Sequence, residues 1–148
     1  KMDEILEMKF IPMLERIREM FLEFGIKNLN MDDISRKLGI SKKTLYRFVD
    51  CKETLVEKMF EHENQKRDLF FESLNQKPLN AIGKLFEVSS YVHERMKHFN
   101  PMLLFELRKY YESIFEHVMQ ENSQFLQKSL EVNLKQGISE GLYIGLKH

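Results

Sequence analysis

Apolar side chains recur three and four residues apart along almost the whole chain, and stretches that alternate with period two are scarce. Met13, Ile17, Met20, Phe21 and Phe24 show the pattern most clearly. On an α-helix such residues share one face, whereas a half-buried strand needs strict alternation. Six glycines and three prolines in 148 residues leave few places to break a helix, and no Asn-Gly or Asp-Gly pair marks a hairpin. The expected fold is all-α, and an apolar fraction of 43% is enough for a core.

The first helix ends at Gly25, a natural residue just past a helix terminus. Pro12 lies in its earlier part, so the helix either kinks there or begins near it, with residues 2–10 as a separate turn. Asn30 is a good N-cap for the next helix, and Asp33 stands where a capping box needs it. Gly39 stops that helix, because the position after a helix favours φ > 0. Ser41 then caps a third helix. Ile34, Leu38, Ile40, Leu45 and Phe48 can close one small core around the tight turn. Two capped short helices on a glycine turn are the sequence signature of a helix-turn-helix, whose second helix enters the DNA major groove.

With Ser41 to Phe48 on a helix, at ~100° per residue, Lys42, Lys43, Tyr46 and Arg47 fall within an arc of roughly 140°. Leu45 and Phe48 point the other way. Such a face suits DNA: lysine, tyrosine and threonine donate to phosphate, and Arg or Lys can also donate to guanine. Net charge is zero, so no overall field favours nucleic acid and any such role must come from local clustering. Residues 26–58 hold 8 Lys and Arg against 5 Asp and Glu, a surplus of three in a neutral chain. The plain alternative is a solvated basic helix face. The caps, the glycine turn and the two-sided helix together argue against it.

The stretch "MDDISRKLGISKKTLYRFVDCKETL" resembles the DNA-binding segment of the TetR family of bacterial transcriptional regulators. The pieces "DDIS", "KLGIS", "TLYRF" and "KETL" carry the likeness over residues 10–60, and "LKQGISEGLY" resembles the end of a long helix in this family. The resemblance implies a three-helix head over residues 1–51 on a helical sensor and dimerisation domain over 52–148. It implies a homodimer on palindromic double-stranded operator DNA, a repressor released by a ligand, in the cytoplasm. Carried over by position, Thr44, Tyr46 and Lys52 would contact phosphate, and Lys42, Lys43 and Arg47 would lie nearest the bases. Asn30, Met31 and Asp32 would open the preceding helix beside the DNA backbone. In the family two more helices follow the "EGLY" phrase. They are expected to be missing here, or a break is expected near Ile144 and Gly145.

Cys51 stands where the family usually has a small polar cap, so Asp50 takes over the cap or the fourth helix starts less firmly. A thiol at a helix N-terminus beside Arg47 and Lys52 has a lowered pKa. The redox reading competes with a plain cap-filling one, and a lone cysteine has no resolving partner in its own chain. One cysteine also excludes an internal disulfide and fits a reducing compartment. No apolar run approaches ~18 residues, so no membrane span is expected. The chain opens on Lys1 rather than Met, and the natural N-terminus is expected to be missing from it.

Helices are expected at 52–75, from Leu79 to about Phe99, at 102–110 and at 112–140. Phe115, Val118, Phe125 and Val132 form a stripe with Asn122 and Ser129 on or near it. Ile82, Phe86 and Met96 share a face with Ser89 and His93. Polar groups on an apolar face need partners. They bond locally, face a second subunit, or line a small-molecule pocket. The pocket reading joins Phe86, Ser89, His93, Met96, Phe105, Tyr110, Phe115 and Asn122, for a mid-sized apolar ligand. An enzyme fares poorly: there is no Glu-x-x-His, no His-x-x-x-His, no Gly-rich phosphate loop and no Gly-x-Ser-x-Gly. No cofactor or metal is expected. A DNA-binding architectural protein without a ligand is the remaining rival.

Overall fold

The computed structural model describes residues 4–98 and 100–144. Among them it is all-α, in the order α1 (Glu4–Phe24), α2 (Met31–Leu38), α3 (Lys42–Leu45), α4 (Lys52–Gln76), α5 (Ala81–Met96), α6 (Pro101–Tyr110) and α7 (Glu112–Ser139). Lys1, Phe99 and Gly145, on which three of the sequence expectations fall, lie outside the described residues. α1 runs continuously through Pro12. No described helix is long and apolar enough to cross a membrane.

The chain packs as two compact units. The first takes residues 4–65 together with Asn100–His117. Its centre is Ile17, Phe21, Ile26, Ile34, Leu45, Leu55, Met59 and Leu107, all fully buried. Phe10 of α1 stacks on Phe48 with ring centroids 5.0 Å apart. Two polar pairs fasten α4 to α1: Arg18 to Glu63 at 3.2 Å and His62 to Glu15 at 2.8 Å. At the other end of α1, the Asn100 amide, which caps α6, donates to the Leu22 carbonyl at 2.9 Å.

The second unit takes the described residues of 66–98 and 118–144. Here the spacing on α5 is right for a helix, but the face expected to turn inward turns outward. Ile82, Leu85, Phe86, Val92 and Met96 are exposed, while Ala81 and Lys84 are buried. The reason is polar. Lys84 Nζ donates to Gln136 Oε1 at 2.9 Å and to the Asn75 carbonyl at 3.4 Å, so its face must lie against α4 and α7. The start of α5 is held by α7 as well: Ala81 N–H donates to Glu140 at 2.8 Å, and Asn133 donates back to the Ala81 carbonyl at 3.1 Å. Tyr91 is the aromatic anchor, stacked on Phe70 at 4.1 Å.

Candidate nucleic-acid interface

The helix-turn-helix is built from local bonds. Asn30 Oδ1 accepts from Asp33 N–H at 2.8 Å, and Asp33 Oδ2 accepts from Asn30 N–H at 3.0 Å, a complete capping box. The bond from Asn30, helped by Arg36, holds the Asp33 carboxyl below its usual range. Gly39 takes φ 72° at the C-cap, where its N–H closes onto Arg36 and Ser35. Ser41 Oγ accepts from Thr44 N–H at 3.0 Å and opens α3. Arg16 reaches over from α1 and donates to the Lys37 and Leu38 carbonyls at 2.7 and 3.1 Å. A guanidinium thus satisfies the last carbonyls of α2, which the helix itself leaves open.

The third helix is shorter than expected. Four residues are α-helical, and the segment then tightens, with Arg47 N–H bonding to Thr44 and Phe48 N–H to Leu45 at 3.1 and 3.0 Å. The two-sidedness survives because three-residue spacing eclipses positions i and i+3. Leu45 and Phe48 are buried together, and Lys42, Lys43, Tyr46 and Arg47 stay exposed. Thr44 is half-buried and shares a hydroxyl contact of 2.8 Å with Ser41. Lys42 pairs with Asp32 at 3.1 Å. Asn30 and Asp32 are exposed, but the Met31 side chain is only 7% exposed and belongs to the core. Its backbone N–H lies in the first turn of α2.

Lys52 is half-buried and turned inward, its Nζ donating to the Ile26 carbonyl. Burial lowers its pKa, opposed by the charges of Glu106 and Asp33. Cys51 takes the cap position before α4, with its Sγ 3.3 Å from Thr54 Oγ1. Its thiol pKa is lowered chiefly by the Thr54 hydroxyl and then by the Thr54 and Glu53 N–H groups. The direction matches the sequence reading; the cause is the capping hydrogen bonds rather than the neighbouring cations.

The eight residues grouped as a pocket divide between the units: Phe105, Tyr110 and Phe115 in the first, the others in the second. Phe86 is 72% exposed, and Ser89, His93, Met96 and Asn122 are exposed too, so their side chains open to solvent. Tyr110 is engaged with Lys27, whose Nζ lies 5.1 Å from the ring centroid. Their hydrogen bond raises the lysine pKa and lowers that of the phenol.

Asn122 instead accepts from Arg67 on α4, and the Arg67 guanidinium lies 4.2 Å from the Phe125 ring centroid. Phe71 meets Phe125 edge-on at 4.4 Å. The Arg67 side chain is 14% exposed, and its buried Nε has no hydrogen-bond partner among the described residues. Arg67 and Glu106 are two of the residues that sequence reading passed over. Neither breaks the helical pattern around it, and each draws its meaning from partners distant in sequence. Among the described residues, no three of His, Cys, Asp and Glu come together as a metal site.

Residues 13–59 match the family model described as bacterial regulatory proteins, tetR family. Among solved structures, that of the ketosteroid transcriptional regulator KstR2 of Mycobacterium tuberculosis is similar, with a TM-score of 0.61 at 23% identity. The likeness covers 88% of this chain and 68% of that one, and shows a shared fold. No curated protein matches this chain.

Proposed function

We propose that this chain, whose residues 13–59 match the tetR family model, is a DNA-binding transcriptional regulator of that family rather than an enzyme, and that it acts as a ligand-responsive repressor, binding a palindromic operator as a homodimer in the bacterial cytoplasm. The observation that carries the reading is the exposed set Lys42, Lys43, Tyr46 and Arg47 on an element anchored from behind by buried Leu45 and Phe48. Lys42, Lys43 and Arg47 read bases; Thr44, Tyr46 and Lys52 hold phosphates; Asn30, Met31 and Asp32 sit beside the DNA backbone. Residues 1–51 serve as the DNA-binding domain and 52–148 as the sensor and dimerisation domain.

Two features of the second unit support the rest. The exposed apolar rows on α5 and α7, such as Phe86 and Met96 or Leu126 and Leu130, suit burial against a second subunit. Arg67, with its unpaired Nε between Phe125 and Asn122, suits a mid-sized apolar ligand carrying one acceptor group. A buried N–H without a partner costs about 1–3 kcal/mol, which a ligand acceptor would recover.

Selection of bound duplexes from a random pool tests the DNA reading, and sedimentation of the full-length protein with and without the selected duplex tests the dimer. A monomer at micromolar concentration that also binds DNA as a monomer would refute the dimer. For the ligand, Arg67→Leu and Asn122→Leu should abolish the response to any compound that releases the wild type from DNA, while leaving operator affinity intact. Normal responses in both variants would place the effector elsewhere.

A further inference from the structure

A single peptide group in the first unit is held at both ends by opposite charges. The amide between Ile26 and Lys27 offers its N–H to Glu106 Oε2, 2.6 Å away, and its carbonyl to Lys52 Nζ. Glu106 comes from α6 and is 7% exposed. Room for its carboxylate is made by Gly25, where an added Cβ would lie 2.4 Å from Glu106 Oε1. The arrangement is cooperative: a carboxylate on the N–H makes the same amide's carbonyl a better acceptor, and the ammonium on the carbonyl makes the N–H a better donor. Lys52 is the phosphate-directed lysine of the proposed interface, and here it points into the protein.

We infer that Glu106 is a positioning residue for DNA binding: an internal anion that holds Lys52 on the Ile26 carbonyl and so competes with DNA phosphate for its ammonium. This rests on the reading of Lys52 as a phosphate contact. Phosphate contacts add affinity for any sequence and carry no sequence information. A residue that contests one of them lowers binding to random DNA as much as to operator, and leaves a larger share of the affinity to the base-reading face. The other groups facing the ammonium do not replace Glu106. Asp33, the other carboxylate near it, is engaged by Asn30 and Arg36.

The test is a double-mutant cycle in the full-length protein: wild type, Glu106→Gln, Lys52→Ala and the double variant, each titrated against one random-sequence duplex over a range of salt. Glutamine keeps an acceptor for the Lys27 N–H and removes only the charge. Glu106→Gln should tighten binding about three- to tenfold at low salt and steepen the salt dependence by a fraction of the roughly 0.9 log–log slope that one whole phosphate contact is worth, because the wild-type lysine makes that contact only in part. Lys52→Ala should weaken binding, and the double variant should match Lys52→Ala, because the gain requires that lysine. A merely structural glutamate would give weaker binding in both backgrounds. Unchanged binding in Glu106→Gln, or an equal gain with and without Lys52, overturns the inference. Lys52→Ala without effect overturns it too, by removing the phosphate reading beneath it. Should Glu106→Gln unfold, the wild-type Lys27 amide resonance decides: it should shift on DNA binding and stay still in Lys52→Ala. No shift in the wild type overturns the inference.

Discussion

Lys42 and Asp32 form an ion pair of 3.1 Å across the turn that joins α2 to α3, both side chains more than half exposed. Two groups assigned to the DNA side therefore neutralise each other in the free protein. Exposed pairs of this kind contribute about 0–1 kcal/mol and are screened by salt, so DNA can take Lys42 over at small cost. Asp32→Asn should leave stability within about 1 kcal/mol of wild type and tighten DNA binding, most at low salt. Thermal melting and anisotropy titrations check both halves. Weaker binding would show that Asp32 itself makes a favourable contact.

Two glycines with positive φ should respond differently to alanine. Gly39 has φ +72° and open space where a methyl would be added, so Gly39→Ala meets only backbone strain, about 1 kcal/mol. Gly25 has φ +81° and would drive its methyl to 2.4 Å from the buried Glu106 carboxylate. Gly25→Ala should cost clearly more, on the order of 2–4 kcal/mol, by urea denaturation. Equal costs would mean that Glu106 is free to move away.

Asn30 anchors the capping box that starts α2. Asn30→Ala removes the acceptor for Asp33 N–H and should destabilise the protein by about 1 kcal/mol. Hydrogen exchange should then quicken first in the opening turn of α2. Unchanged protection there would show that packing of Met31 and Ile34 alone fixes the helix start.

The Cys51 thiol is exposed, and its pKa is lowered from the ordinary 9.0 mainly by the Thr54 hydroxyl. A lowered pKa means that thiolate persists at lower pH. The rate of alkylation by iodoacetamide should rise through a midpoint below 9.0, and Thr54→Val should move that midpoint up. An identical profile in Thr54→Val would return the cause to the surrounding charges.

What the sequence disclosed follows the range of the forces involved. Asn30 with Asp33, Gly39 and Ser41 act within three or four residues, so their caps and turn are legible in the one-dimensional pattern. The Pro at 101 behind Asn100 and the break at Pro78 place α6 and the end of α4 for the same reason. The inward face of α5 is not legible. Periodicity shows that Ile82, Phe86 and Met96 share a side, but the buried side is chosen by Lys84 reaching Gln136, a partner 52 residues away. Arg16, Arg67 and Glu106 are hidden likewise, because their partners lie on other helices or in loops far along the chain. The pattern overstates the third helix because eclipsed three-residue spacing buries Leu45 and Phe48 as well as α-helical spacing does.

The central claim is that the face of Lys42, Lys43, Tyr46 and Arg47 reads DNA sequence, and Arg47→Ala tests it most directly. The measurement is the affinity of full-length wild type and variant for a duplex selected from a random pool and for its shuffled counterpart, at one fixed salt concentration. Arg47→Ala should lose roughly 1–3 kcal/mol on the selected duplex and much less on the shuffled one, so that discrimination falls. Discrimination as strong as that of the wild type would contradict the claim.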